Sequence, residues 1–248
     1  MPRFFIPNSA VGIRDDGTKT VIICGDDAMH IVKSLRMKAG EKLEVCDMGR
    51  REYSCVITEI GETVFAQVES EKESDTEPPY TAILYQALVK GDKFDTVVQK
   101  AVECGVSKII PFISDRCGVR LDKKGAAKKA ERWQRIALEA AKQCGRAVIP
   151  EIGELMTFKE AADDAAKADI PLFCYEAERG YTLPSALRST PDAHIVSIVI
   201  GSEGGFSVAE AEYAEKAGMK SIGLGKRILR TETASSFVLA CISYELEL

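Results

Sequence analysis

The chain has 248 residues, 46% of them hydrophobic and 29% charged, and a formal net charge of −5. A length of this order fills one large or two small domains and buries a core without covalent staples. The longest apolar runs, such as 195–200, fall far short of a membrane span, and the first residues show no apolar stretch with a cleavage signature, so the expectation is a cytoplasmic protein with no membrane partner. The eight cysteines include no CxxC pair and there are only two histidines, so no metal is expected and the thiols read as buried and free.

Segments 3–6, 20–24, 42–47, 52–60 and 63–68 read as short strands separated by turn residues, with one helix over 27–35 started by Asp26 and Asp27. So many short strands in so small a unit predict a compact barrel. The stretch from Glu69 to Pro79 is acidic and polar and ends in two prolines; it reads as a linker dividing a domain over 1–72 from one over 78–248.

Beyond the linker, strands and helices alternate. Residues 82–88 read as a strand, and 92–104 as a helix with Phe94, Val97, Val98, Ala101 and Val102 on one face. A strand follows at 108–112, then a long helix over 126–144 whose apolar stripe includes Trp133, which reads as core. Thr157-x-x-Glu160 and Ser207-x-x-Glu210 are capping boxes that open helices. Segments 172–175, 194–200 and 221–224 read as strands and 232–246 as a final helix. This alternation predicts an α/β domain with a mostly parallel sheet covered on both faces, and a ligand site beyond the carboxyl ends of its strands.

Two loops lie at that position. IGSEGGFS (200–207) follows a strand and places three glycines within five residues, which lets the backbone pass close to a ligand; turn formation alone is the plainer reading. Its spacing matches neither the GxGxxG dinucleotide fingerprint nor a Walker loop, which argues against hydride transfer and NTP hydrolysis. LGKRILRTETA (224–234) crowds Lys226, Arg227 and Arg230 at a helix start, where cations oppose the helix dipole. That conflict points to function, although a surface loop with Thr231 as the N-cap would also account for the residues. Between Arg116 and Arg146 there are ten basic and three acidic residues, a patch suited to phosphates or, more plainly, a solvated helix face.

Together the two loops resemble the C-terminal motifs of the SPOUT methyltransferases, and more narrowly the ribosomal RNA small subunit methyltransferase E family. QALVKGDKFDTVVQKAVECGV (86–106), ERWQRIALEAAKQCGR (131–146) and His30 through Arg36 with Gly40 extend the similarity over nearly the whole chain. The sequence departs from the family at Ser202, where proline is usual, and at His30, where relatives often carry two histidines; His30 reads as structural or a minor RNA contact.

The resemblance implies a PUA-like β-barrel followed by an α/β domain with a trefoil knot, a feature general topology rules would exclude. It implies a homodimer that uses S-adenosyl-L-methionine (SAM) to methylate uridine N3 in 16S rRNA, free or within the small ribosomal subunit. For cofactor binding it points to Leu172, Tyr175, Glu176, Ile200, Gly201, Gly204, Gly205, Leu224, Gly225, Ile228, Leu229, Thr233 and Ala234. N3 becomes nucleophilic only on losing its proton, which spreads charge onto O2 and O4, so a cation aimed there lowers the barrier. Arg230 is the first candidate, with Thr231 and Thr233 as helpers; Glu203 and Glu232 are the carboxylates near enough to act as base, or else to brace the loop and the helix start. Arg3, Arg36, Arg116, Arg120, Lys123, Lys124 and Arg146 are assigned to RNA phosphates. Two alternatives are a SPOUT enzyme with another target atom, such as a ribose 2′-hydroxyl, and a non-catalytic RNA-binding protein.

Overall fold

The computed structural model describes every residue except Pro191, and of Lys123 the backbone alone. The chain divides into two units, Met1–Glu77 with Ala141–Ile149, and Pro78–Ala140 with Pro150–Leu248.

The first unit contains β1 (Arg3–Phe5), β2 (Val11–Ile13), β3 (Lys19–Ile23), α1 (Gly25–Met29), β4 (Lys42–Cys46), β5 (Arg51–Ile60) and β6 (Val64–Glu73). Its sheet runs in the order β1-β4-β5-β6-β3-β2; β1 pairs parallel with β4 and every other pair is antiparallel. The period-2 pattern is visible in β5, where Tyr53, Cys55 and Ile57 are buried, and they join Phe4, Val21, Ile23, Ile31, Leu43, Val45 and Val64 in one core. The helix expected over 27–35 is instead α1 followed by a π-helical turn, His30–Ser34, and Arg36 beyond it takes a φ of 53°.

The stretch expected to be a linker is ordered. β6 continues to Glu73 because its acidic residues have partners: Lys42 pairs with Glu69 and Lys19 with Glu71, while Lys72 pairs with Glu52 across the sheet. Glu77 is more deeply committed. Its carboxylate accepts from Arg146 Nε and Nη2, at 3.3 and 2.6 Å, and from the backbone N–H groups of Ala147 and Val148, at 2.9 and 3.1 Å. The two side chains are 3% and 5% exposed, so neither charge has water to fall back on.

The second unit contains β7 (Thr81–Ala87), α2 (Lys93–Glu103), β8 (Lys108–Ile113), α3 (Lys123–Cys144), β9 (Glu151–Ile152), β10 (Met156–Thr157), α4 (Phe158–Ala165), β11 (Ile170–Cys174), α5 (Leu183–Arg188), β12 (Ile195–Ile200), α6 (Val208–Lys216), β13 (Lys220–Ile222) and α7 (Thr231–Leu246). The last turn of α3 clusters with the first unit. The sheet order is β10-β8-β7-β12-β11-β13, with β9 beside β8, and all its pairs are parallel. The expected α/β alternation is therefore present. The stripe on α2 is buried as its spacing predicts, Trp133 stacks on Phe94 with centroids 4.0 Å apart, and both capping boxes form. The short α5 was not expected, since six residues offer too little periodicity to read. No described helix is long and apolar enough to cross a membrane, and no metal-ligand cluster occurs among the described residues.

Glu77→Ala removes the carboxylate that the buried Arg146 guanidinium and two backbone N–H groups share, and is expected to destabilise the chain by about 3–5 kcal/mol. Urea denaturation monitored by circular dichroism checks this. A change below about 1 kcal/mol, the range of exposed pairs, would show that the pair contributes no more than a surface bridge.

Candidate functional site

The parallel register aligns the carboxyl ends of four strands. Gln86 of β7 is opposite Ile200 of β12, Ile200 is opposite Cys174 of β11, and Cys174 is opposite Ile222 of β13. The loops after β11, β12 and β13 leave from this common row and line one open cleft. Ligands in parallel sheets bind at this edge.

Each loop contributes a different part of the wall. Cys174, Tyr175, Glu176 and Arg179 come from the end of β11 and its loop. The segment from Ile200 to Gly205 follows β12. Leu224, Gly225, Arg227, Ile228 and Leu229 follow β13, and Thr231 and Ala234 close the cleft from α7. Eleven of the residues assigned to the cofactor thus face one cavity. Two do not: Leu172 is fully buried within β11, and Thr233 is exposed on α7 outside the lining. Cys174, Ser202 and Arg227, which lie within the segments 172–176, 200–205 and 224–229, also line the cleft, and the sequence reading missed Arg179. Arg227 lies in a quoted motif, whereas Arg179 lies in none.

Packing explains how these loops hold their shape. Phe206 is 1% exposed and anchors the loop after β12 into an aromatic cluster, with its ring centroid 4.3 Å from that of Phe173. Ser207 and Glu210 cap α6, and Ser207 Oγ also donates to Asp115 while the Asp115 N–H donates to Glu210. Gly205 adopts a φ of +66°, and a Cβ there would sit 2.1 Å from a carboxylate oxygen of Glu176. At Gly223 a Cβ would lie 2.4 Å from the carbonyl oxygen of Glu178. Backbone therefore forms the wall directly at Gly205, and Gly223 lets the loop after β13 pass close to the Glu178 backbone.

The candidate catalytic residues separate by environment. Glu203 faces the cleft, but its carboxylate accepts from Lys93 Nζ at 2.8 Å and from the Lys90 N–H at 3.2 Å. Partial burial opposes its ionisation, yet these donors outweigh it and hold the carboxyl below its usual range. Glu203 is thus a weak proton acceptor. Glu232 lies in the first turn of α7 outside the lining, and its buried Oε2 has no hydrogen-bond partner among the described residues. Thr231 does not cap the helix; Arg230 is the N-cap residue, without a side-chain cap bond. The Thr231 hydroxyl is instead spent on the Gly201 carbonyl, 2.6 Å away, so it is not available to a substrate. Arg230 is exposed immediately before it, beside the cleft. Burial pushes the Cys174 thiol well above its ordinary value and leaves it un-ionised.

The cations assigned to RNA also divide. Arg36, Arg116, Arg120 and Lys124 are exposed, with Arg116 donating to the Gly204 carbonyl at 3.1 Å. Arg3 and Arg146 are a correction: Arg3 pairs with Glu44 and Glu52 and donates to the Gly145 carbonyl, and Arg146 is buried against Glu77. A guanidinium so committed cannot also meet a phosphate. The side chain of Lys123 lies outside the described residues. Elsewhere in the basic stretch, Arg132 pairs with Asp95 and Lys142 with Asp27.

Comparison with known proteins agrees with this geometry. Residues 76–243 match the family described as an RNA methyltransferase domain, and residues 23–69 match an RNA methyltransferase PUA domain. The chain is 34% identical over 253 residues to ribosomal RNA small subunit methyltransferase E of Bacillus subtilis (strain 168), covering 100% of this chain and 98% of that protein. It is 37% identical over 179 residues to the protein of the same name from Mesomycoplasma hyopneumoniae (strain 232), covering 71% and 76%. Among solved structures it is similar to ribosomal RNA small subunit methyltransferase E from Neisseria gonorrhoeae bound to S-adenosyl methionine, with a TM-score of 0.82, 33% identity, and 99% and 98% coverage.

Two outcomes test the electrostatic and steric account. A carboxyl titration followed by NMR is expected to place Glu203 below the ordinary glutamate midpoint, and Lys93→Ala is expected to move it upward; an unmoved midpoint contradicts the assigned cause. Because that folded-state value is lowered, the pair stabilises the fold above the ordinary carboxylate range and the contribution is lost as pH falls through the lowered midpoint. Gly205→Ala is expected to cost about 1–3 kcal/mol from strain at positive φ and the clash. Adding Glu176→Ala is expected to recover the clash and leave the strain, and a purely additive double variant would refute the contact.

Proposed function

The chain belongs to the ribosomal RNA small subunit methyltransferase E family, and from that premise we propose that it uses SAM to methylate N3 of a uridine in 16S rRNA. The observation that supports this most is the convergence of the loops over 200–207 and 224–234 on one cleft at the carboxyl edge of a parallel sheet. The residues fit the cofactor. Backbone lines the wall at Gly205, where there is no room for a side chain, and Ile200, Leu224, Leu229 and Ala234 provide apolar surface for a nucleoside. The segments 174–176, 200–205 and 224–229 would hold it. When bound, SAM supplies a methyl group already activated by its sulfonium.

The protein's share of the work is positioning and charge. Arg230, at the rim of the cleft, faces the developing negative charge of uridine O2 or O4. Neither loop carboxylate is placed as a proton acceptor: Glu203 is occupied by Lys93, and Glu232 lies outside the lining with its Oε2 buried. Glu203 braces the loop against the start of α2. Arg36 on the first unit and Arg116, Arg120 and Lys124 on the second hold RNA phosphates. The knot and a homodimer belong to this reading, as does action in the cytoplasm, where the ribosomal substrate is found.

In a strain lacking the gene, nucleoside mass spectrometry of 16S rRNA is expected to show loss of 3-methyluridine, restored by the wild-type chain. Persistence of that nucleoside at its normal level would sink the reading, and loss of a 2′-O-methyl nucleoside would move the target to ribose. Arg230→Ala is expected to cut turnover about 100-fold while changing SAM affinity by less than about threefold. Unchanged turnover would remove Arg230 from the chemistry.

A further inference from the structure

The last polar residue of β7 is Gln86, a glutamine with no exposed surface. Its amide nitrogen is surrounded by acceptors. Gln86 Nε2 donates to Thr231 Oγ1 at 2.9 Å and lies 3.1 Å from the Ala87 carbonyl and 3.5 Å from that of Gly201. Thr231 in turn donates its hydroxyl proton to the Gly201 carbonyl at 2.6 Å. Because that proton is spent, the threonine oxygen faces Gln86 as an acceptor, and the direction of the chain is fixed from Gln86 to Thr231 to Gly201.

The arrangement joins three elements that sequence keeps apart. Gln86 ends β7, Gly201 is the first residue after β12, and Thr231 is the first residue of α7. Gly201 and Thr231 both line the cleft, and Thr231 follows Arg230 directly. The cost of the arrangement is visible too: Gln86 Oε1 is buried with no hydrogen-bond partner among the described residues. An apolar side chain of similar size would avoid that unsatisfied acceptor, so what the amide adds is its donor.

We propose that Gln86 is a positioning residue for methyl transfer, which acts through Thr231 to hold the start of α7, and with it Arg230, against the glycine loop that carries the cofactor. This inference rests on the methyltransferase reading above. Its mechanical part makes no use of the identity of the RNA target.

The test is a double-variant cycle on the full-length chain, with SAM affinity read by calorimetry and turnover read as 3-methyluridine formed at saturating SAM. Gln86→Leu and Thr231→Val are each expected to weaken affinity and cut turnover by about tenfold, as loss of one buried hydrogen bond would. The combined variant is expected to be within about twofold of either, since both open the same chain. Thr231→Ser keeps the hydroxyl and is expected to remain within about threefold of wild type. Losses that multiply in the combined variant, wild-type behaviour of Gln86→Leu, or equal defects in Thr231→Ser and Thr231→Val would each overturn the proposal. If Gln86→Leu fails to fold by thermal melting, the two Thr231 variants decide. A wild-type chain that binds SAM but forms no 3-methyluridine would instead overturn the functional reading, and the calorimetric cycle would still test the Gln86 link.

Discussion

Four strand ends in one row impose the geometry on which the site depends. In a parallel sheet every strand delivers its carboxyl end to the same edge, so the chain segments that follow must all turn away from one line of residues, here Gln86, Ile200, Cys174 and Ile222. The loops meet because their strands are in register. That spares each loop the task of finding the others, and local packing has only to set the last few ångströms. Phe206 supplies that packing for the loop after β12, and the Ser207–Glu210 box with Asp115 fixes where α6 begins.

Charge in this molecule does two jobs, and burial decides which one a given residue performs. Arg146 and Glu77 form a desolvated pair with four donor–acceptor contacts around one carboxylate, and such a group is structural. Arg3 serves a similar purpose near the same turn through Glu44, Glu52 and the Gly145 carbonyl. The exposed cations Arg116, Arg120 and Lys124 retain the water-facing surface that phosphate binding requires. The local excess of basic residues over 116–146 therefore overstates the charge available to a polyanion, because Arg132, Lys142 and Arg146 are paired with acids.

The same logic separates the two loop glutamates and changes what the threonine at the helix start means. A carboxylate already accepting from an ammonium and a backbone N–H gains little from a further proton, so Glu203 serves as a brace. Thr231 reads in sequence as an N-cap or a helper at the reacting base. In the fold its hydroxyl joins two strand ends to a helix start, and Arg230 takes the cap position without a side-chain cap bond.

Sequence by itself determined the class of fold, the strand–helix alternation, the buried stripe on α2, both capping boxes and the two loops that enclose the cleft. These features are local: period, capping spacing and glycine clusters are written within a dozen residues, where hydrogen-bond geometry acts. Tertiary structure alone decided that the acidic stretch after residue 68 continues a strand and ends in a buried ion pair, that Arg3 and Arg146 are not surface cations, that Leu172 and Thr233 stand outside the cleft, and that Gln86 belongs to its supporting frame. In each case the deciding partner is distant in the chain, 69 residues away for Glu77 and Arg146 and 145 for Gln86 and Thr231. A charge or an amide reads the same in sequence whether water or a buried partner will satisfy it, and only folding determines which.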